Sequence, residues 1–235
     1  MVIAEKIRHA AVQVCRGIGP RYKNSGRWES LTERKLATEL ASCLLGSRVR
    51  FESAYGAANC LDQRGLLSLK WLRMPDADHE AAMEQALGDK TDVNFKSCGT
   101  YPFRHQRSRQ LRACLKSIEN EFGSIVEMLS GAVSDFSLRK TMAETLVGFG
   151  PKQASLFLRN IGFSENLAVL DTHVLKYMTH QGMMEEGSGM PRTLKEYEYA
   201  ELAFSEHAGQ HGFSVAEFDL AVWVVVRVAG QEKMI

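Results

Sequence analysis

Apolar residues recur every three to four positions through most of this chain, the period of helices that bury one side. Ile3, Ile7, Ala10 and Val14 share a side of a first helix over residues 3–16. Gly17-Ile18-Gly19-Pro20 then reads as its stop, and residues 21–26 have turn chemistry. Leu36, Leu40, Cys43 and Leu44 draw the stripe of a helix over residues 31–45, with Thr32 as N-cap. Further helices are predicted over residues 51–60, 75–87, 103–122 and 125–129, with residues 98–102 and 131–137 as loops. Leu138, Met142 and Leu146 mark another, followed by helices over 152–161, from Asp171 to about Met178, over 193–207, and from Phe213-Ser214-Val215 onward. Strand-like alternation is never sustained. Val222-Trp223-Val224-Val225-Val226 lacks bracketing turns and is read as buried helix. The expected class is all-α, with helices of two lobes interleaved through residues 1–235 as one unit.

A chain of 235 residues, 45% hydrophobic and 24% charged, is an ordinary globular composition. No run approaches bilayer length, and the first residues lack the apolar segment of a signal peptide. Five scattered cysteines argue against a disulfide framework and lack metal-cluster spacing, so a reducing, cytosolic setting is expected. The net charge of +1 conceals segregation. Arg104, Arg107, Arg109, Arg112 and Lys116 lie in one stretch without acids, whereas residues 75–90 carry Asp76, Asp78, Glu80, Glu84 and Asp89. A basic face with outward arginines would attract phosphate; a merely solvated helix face explains the run equally well.

Candidate chemistry concentrates in residues 146–178. Gly148-Phe149-Gly150 between two helices reads as a hairpin, with Pro151 suited to a first helical turn. Backbone N–H groups of Gly148, Gly150 and the helix start would hold a phosphate without reading sequence. Lys152 follows at the helix mouth, where the dipole disfavours a cation and so favours the neutral, nucleophilic amine. A phosphate contact or plain solvation are the alternatives. Nineteen residues on, Asp171 opens the next helix after the apolar Leu167-Ala168-Val169-Leu170. It reads as an N-cap, or as a carboxylate that stabilises a developing cation. His173 stands two residues further, as a core or DNA-facing residue.

These residues resemble the HhH-GPD superfamily of base-excision DNA glycosylases. Gly148 to Lys152 stands where that family has its hairpin and catalytic lysine, and Val169-Leu170-Asp171-Thr172-His173 matches its aspartate element. Residues 152–162 look specifically like the archaeal-type 8-oxoguanine DNA glycosylases. Supporting similarity lies in residues 39–45, 101–107 and 218–223. The resemblance implies a two-lobed helical architecture, with the helix-hairpin-helix at about 138–162, and a bifunctional glycosylase and lyase. Lys152 would attack C1′ of a flipped nucleotide, Asp171 would assist, and a Schiff base would lead to β-elimination. It further implies contacts to double-stranded DNA with a damaged guanine from Gly148, Phe149, Gly150, Ser155, His173, Arg104 and Arg107. Ser47, Phe213, Phe218 and Trp223 are candidates for the base pocket. A monomer with no metal, cofactor or membrane attachment, acting at the nucleoid, is expected.

Two departures concern base selection. Gly46-Ser47-Arg48-Val49 replaces the family's polar element after Leu45, and the chain ends Gln231-Glu232-Lys233-Met234-Ile235 where the archaeal enzymes bring a terminal lysine to the base. Another modified guanine therefore stands as an alternative substrate, and a catalytically silent DNA-binding module as the alternative of another class.

Overall fold

Helices occupy the places that the apolar period marks. The computed structural model describes residues 3–18, 26–89 and 100–231. The stop at Gly19-Pro20, the loop at Cys98 and the terminal Lys233 lie outside the described residues. In chain order the helices are α1 (Ile3–Ile18), α2 (Glu33–Leu45), α3 (Phe51–Gln63), α4 (Asp76–Gly88), α5 (Arg104–Phe122), α6 (Ile125–Ser130), α7 (Asp135–Thr145), α8 (Pro151–Asn160), α9 (Thr172–His180), α10 (Leu194–Gln210) and α11 (Val215–Gln231). Short 3-10 turns at Arg27–Ser30 and Leu69–Arg73 have no counterpart in the sequence reading, because one turn is too short to show a period. No strand occurs among the described residues, and Val222 to Val226 are part of α11.

Caps fix most starts. Thr32 Oγ1 accepts from the Lys35 N–H at 3.3 Å, as expected for α2. The expected loop over 131–137 is shorter than predicted, since Ser134 and Ser137 satisfy each other's N–H groups and start α7 at Asp135. Thr193 and Glu196 do the same for α10. Glu33, in the first turn of α2, accepts from the N–H groups of Ile125 and Val126 at 2.8 and 3.0 Å, tying α6 to α2.

The chain divides into two units, residues 28–161 and residues 1–27 with 162–235. In the first, α2 is the central helix: Leu36, Leu40, Leu44 and Leu45 are fully buried, and α3, α5, α6 and α8 pack around it. In the second, α11 packs on α1, α9 and α10. Ile7, Ala11, Val174, Tyr177, Met178, Phe204, Phe218 and Val222 form its core.

That second core contains an imidazole. The Tyr177 hydroxyl lies 2.8 Å from His207 Nε2, and Tyr177, His207 and His211 all contact the Phe218 ring. Burial, then the neighbouring His211 and Arg8, push His207 down to about 4. The ordinary value is about 6.5, so the unfolded chain binds a proton in this range that the folded chain refuses. Stability is therefore fully present above pH 6.5 and declines as pH falls toward 4. Thermal melts between pH 7.5 and 4.5 should show a decline that flattens in His207→Gln; identical slopes would remove His207 as the cause.

Candidate catalytic and DNA-contact residues

Two helix starts carry the candidate chemistry, one in each unit. In the first, α7 ends at Thr145 and the chain turns through Leu146 to Gly150 into α8, with the Phe149 N–H bonded to the Leu146 carbonyl at 3.1 Å. Gly148 has φ +85°, and a Cβ there would meet Leu44 Cδ1 at 3.4 Å and Gln110 Cβ at 3.5 Å. Both the left-handed backbone and the close approach call for glycine. Gly150 is the N-cap, its N–H directed to Gln153 Oε1 at 3.4 Å, and Pro151 is the first helical residue. Lys152 is half-buried in that first turn. Ala154, Phe157, Leu158 and Ile161 are fully buried, as their spacing predicts, and anchor the helix behind it. The first-turn N–H groups of α8 have no partner within the helix, which makes this end a receptive one for an anion.

In the second unit the apolar run 167–170 is extended and buried, and each of three successive N–H groups has a side-chain acceptor. Ala168 N–H donates to Glu201 Oε1 at 2.8 Å, Val169 to Asp219 Oδ2 at 2.6 Å, and Leu170 to the Tyr197 hydroxyl at 3.1 Å. The Tyr197 hydroxyl in turn donates to the Ala168 carbonyl at 2.8 Å. Tyr197, Glu201 and Asp219 are all buried. An irregular buried segment must place its backbone polar groups somewhere, and α10 and α11 supply the partners. The segment delivers Asp171, whose Oδ1 accepts from the N–H groups of His173 and Val174 at 2.9 and 3.0 Å. His173 lies edge-on to Trp223, and the Arg227 guanidinium sits 4.8 Å over the Trp223 ring.

Sequence reasoning missed this clamp. Asp219 lay within a stretch marked by resemblance, but a single acid in a helix gives no sign that it will reach a remote N–H. Asp219→Ala should leave the Val169 N–H buried without a partner and cost about 1–3 kcal/mol. Chemical denaturation measures this, and an unchanged midpoint would mean that another group takes up the N–H.

Several expected contacts need correction. Ser155 is fully buried, so its hydroxyl offers nothing to DNA, and Phe149 turns its ring inward at 5% exposure, leaving only its backbone. Phe218 is likewise fully buried as the centre of the ring cluster and is a core residue, not a base platform. Ser47, Phe213 and Trp223 remain partly accessible.

The basic run is also corrected, because it folds onto the acidic one. Along α4 and α5, Arg104 lies 3.9 Å and His105 2.9 Å from Glu84, Arg109 3.6 Å from Glu80, and Lys116 3.7 Å from Asp76. Arg112 is not outward. It is buried at 2% exposure, paired with Asp76, bonded to the Met74 carbonyl, and 2.7 Å from His79 Nδ1. The Arg112 hydrogen bond and charge hold Asp76 below its ordinary value. Arg107 is half-buried and bonded to Gln110 at 2.7 Å. The opposite charges separated in sequence are thus largely spent on one another, and Arg104, Arg109 and Lys116 stay well exposed in loose surface pairs.

A helical fold with a glycine hairpin leading to a lysine, and an aspartate capping the following helix, defines a class, the helix-hairpin-helix DNA glycosylases. The solved Methanocaldococcus jannaschii 8-oxoguanine glycosylase/lyase, in complex with a 15mer DNA containing 8-oxoguanine, has this fold, with a TM-score of 0.71 at 18% identity over 95% of this chain and 96% of that one. The chain belongs to the Ogg-HhH family, described as 8-oxoguanine DNA glycosylase, whose model matches residues 20–213. An 8-oxoguanine DNA glycosylase/AP lyase of Saccharolobus islandicus is 28% identical over 186 residues, covering 79% of each chain. One from a Thermotoga species is 36% identical over 114 residues, covering 47% of this chain. The match spans about half the length, 52%, of that relative.

Proposed function

We propose that this protein is a base-excision DNA glycosylase with AP-lyase activity that removes 8-oxoguanine from double-stranded DNA. The observation that carries the reading is Lys152, half-buried in the first turn of α8 directly after the Gly148 hairpin. An amine so placed has anion-binding backbone beside it, at the start of α8. In the proposed reaction the neutral amine forms a bond to C1′ as the glycosidic bond breaks, and the base leaves with the electron pair and takes up a proton. Opening of the sugar ring gives a Schiff base. Loss of a proton from C2′ then expels the 3′ phosphate, cleaving the strand.

Asp171 stabilises the positive charge that develops at the sugar while Oδ1 caps α9. Gly148, Gly150 and the start of α8 hold the DNA backbone, and Arg104 and His173 are further candidates for contact. No helix among the described residues is long and apolar enough to cross a membrane.

A second substrate has its own support. Gly46-Ser47-Arg48-Val49 stands in place of the family's polar element after Leu45. This departure from the family's polar element fits a different modified guanine in the base pocket. Duplexes carrying 8-oxoguanine or other modified guanines opposite C, incubated with protein and borohydride, test both readings. A covalent adduct and strand cleavage on 8-oxoguanine DNA are expected. Adducts on another modified guanine alone would favour the second substrate. No adduct on any modified or abasic DNA would leave a silent DNA-binding module.

A further inference from the structure

The side of α2 that meets α8 carries Glu39 and, one turn on, Cys43. Asn160, at the end of α8, donates from Nδ2 to Glu39 Oε1 at 2.7 Å. The Cys43 thiol donates to the same oxygen, with Sγ 3.6 Å away. Cys43 is buried at 2% exposure. Burial first, and then the charge of Glu39, push the thiol well above its ordinary value, while the charge of Lys152 pulls it the other way. Asn160 at the end of α8 thus ties that helix to α2, on which it packs. Glu39 itself is half-buried and has no ion pair among the described residues.

A half-buried carboxylate used only as an acceptor for neutral donors is a poor source of stability compared with an apolar residue. Its worth lies in the geometry it imposes. We propose that Glu39 is a positioning residue for Lys152, acting through the Asn160 amide along α8; this rests on Lys152 being the nucleophile. The amide fixes the register of α8 against α2 and hence the place of its first turn. The thiol donates a hydrogen bond to the same Glu39 oxygen and so holds the carboxylate in place for that amide.

The test uses the full chain and an 8-oxoguanine:C duplex at saturating protein, with borohydride trapping followed in a single turnover. Glu39→Ala and Asn160→Ala are each expected to slow trapping about tenfold or more, since small misplacements of a reacting group are costly. The double variant should be no slower than the worse single one, because both break one linkage. Glu39→Gln keeps an acceptor for both donors and should remain within about threefold of wild type. DNA affinity, measured for Glu39→Ala on a Lys152→Gln background, should match that background. A purely structural role would lower the melting temperature and DNA affinity while leaving the trapping rate at saturation unchanged, and that outcome overturns the proposal. Where Glu39→Ala does not fold, Asn160→Ala carries the test, and a wild-type rate there overturns it. Wild type that traps nothing would instead defeat the assignment of Lys152 itself.

Discussion

Lys152→Gln is expected to yield no borohydride adduct and to lower base excision by at least about four orders of magnitude. Glutamine approximates the length and polarity of lysine, but its amide nitrogen neither attacks C1′ nor condenses to an imine. The hairpin should be unaffected, because Gly148, the Gly150 cap and the buried Ala154, Phe157 and Leu158 set its geometry without the lysine. Removing a cation from the positive end of α8 should leave stability equal or raise it by about 0.3–1 kcal/mol. A melting curve at or above that of wild type, with undamaged-duplex affinity within about tenfold, makes the variant a clean chemical knockout. A surviving adduct of wild-type yield would move the nucleophile to another lysine.

The parts of this protein that were legible in its sequence are those where the signal is local. Helix starts at Thr32 and Thr193, the buried face of α8 and the hairpin at Gly148 each depend on residues within one or two turns of one another. Side chains that act across the fold could not be read. Glu201 and Asp219 are ordinary acids within helical patterns until the extended run at residues 167–170 is seen to need their oxygens. Glu39 and Asn160 are 121 positions apart and meet only because α2 packs on α8. The error over the basic run has the same origin. Clusters of opposite charge on separate helices look like two faces of a field, and the packing of α4 against α5 turns them into pairs. Phe218 shows the opposite limit: helical spacing marks an aromatic as inward-facing without telling whether inward means core or pocket.

Asp171→Asn should separate the two roles that this residue has. Asparagine caps helices about as well as aspartate, and its Oδ1 can still accept from the N–H groups of His173 and Val174. The buried approach through residues 167–170 is held by Tyr197, Glu201 and Asp219 and does not depend on the charge at Asp171. Stability should therefore change by no more than about 0.5 kcal/mol, and DNA binding should persist. Asp171→Ala loses the cap as well and should cost about 1 kcal/mol. If the carboxylate stabilises charge developing at the sugar, both variants should lose excision about 100- to 1,000-fold, the size of effect seen when a fixed electrostatic partner is removed from a transition state. Equal loss in a folded asparagine variant and a less stable alanine variant assigns the effect to charge. Single-turnover excision beside denaturant melts on the same preparations decides it: full excision by Asp171→Asn would reduce Asp171 to the cap of α9, and Lys152 would then need another group to stabilise the developing cation.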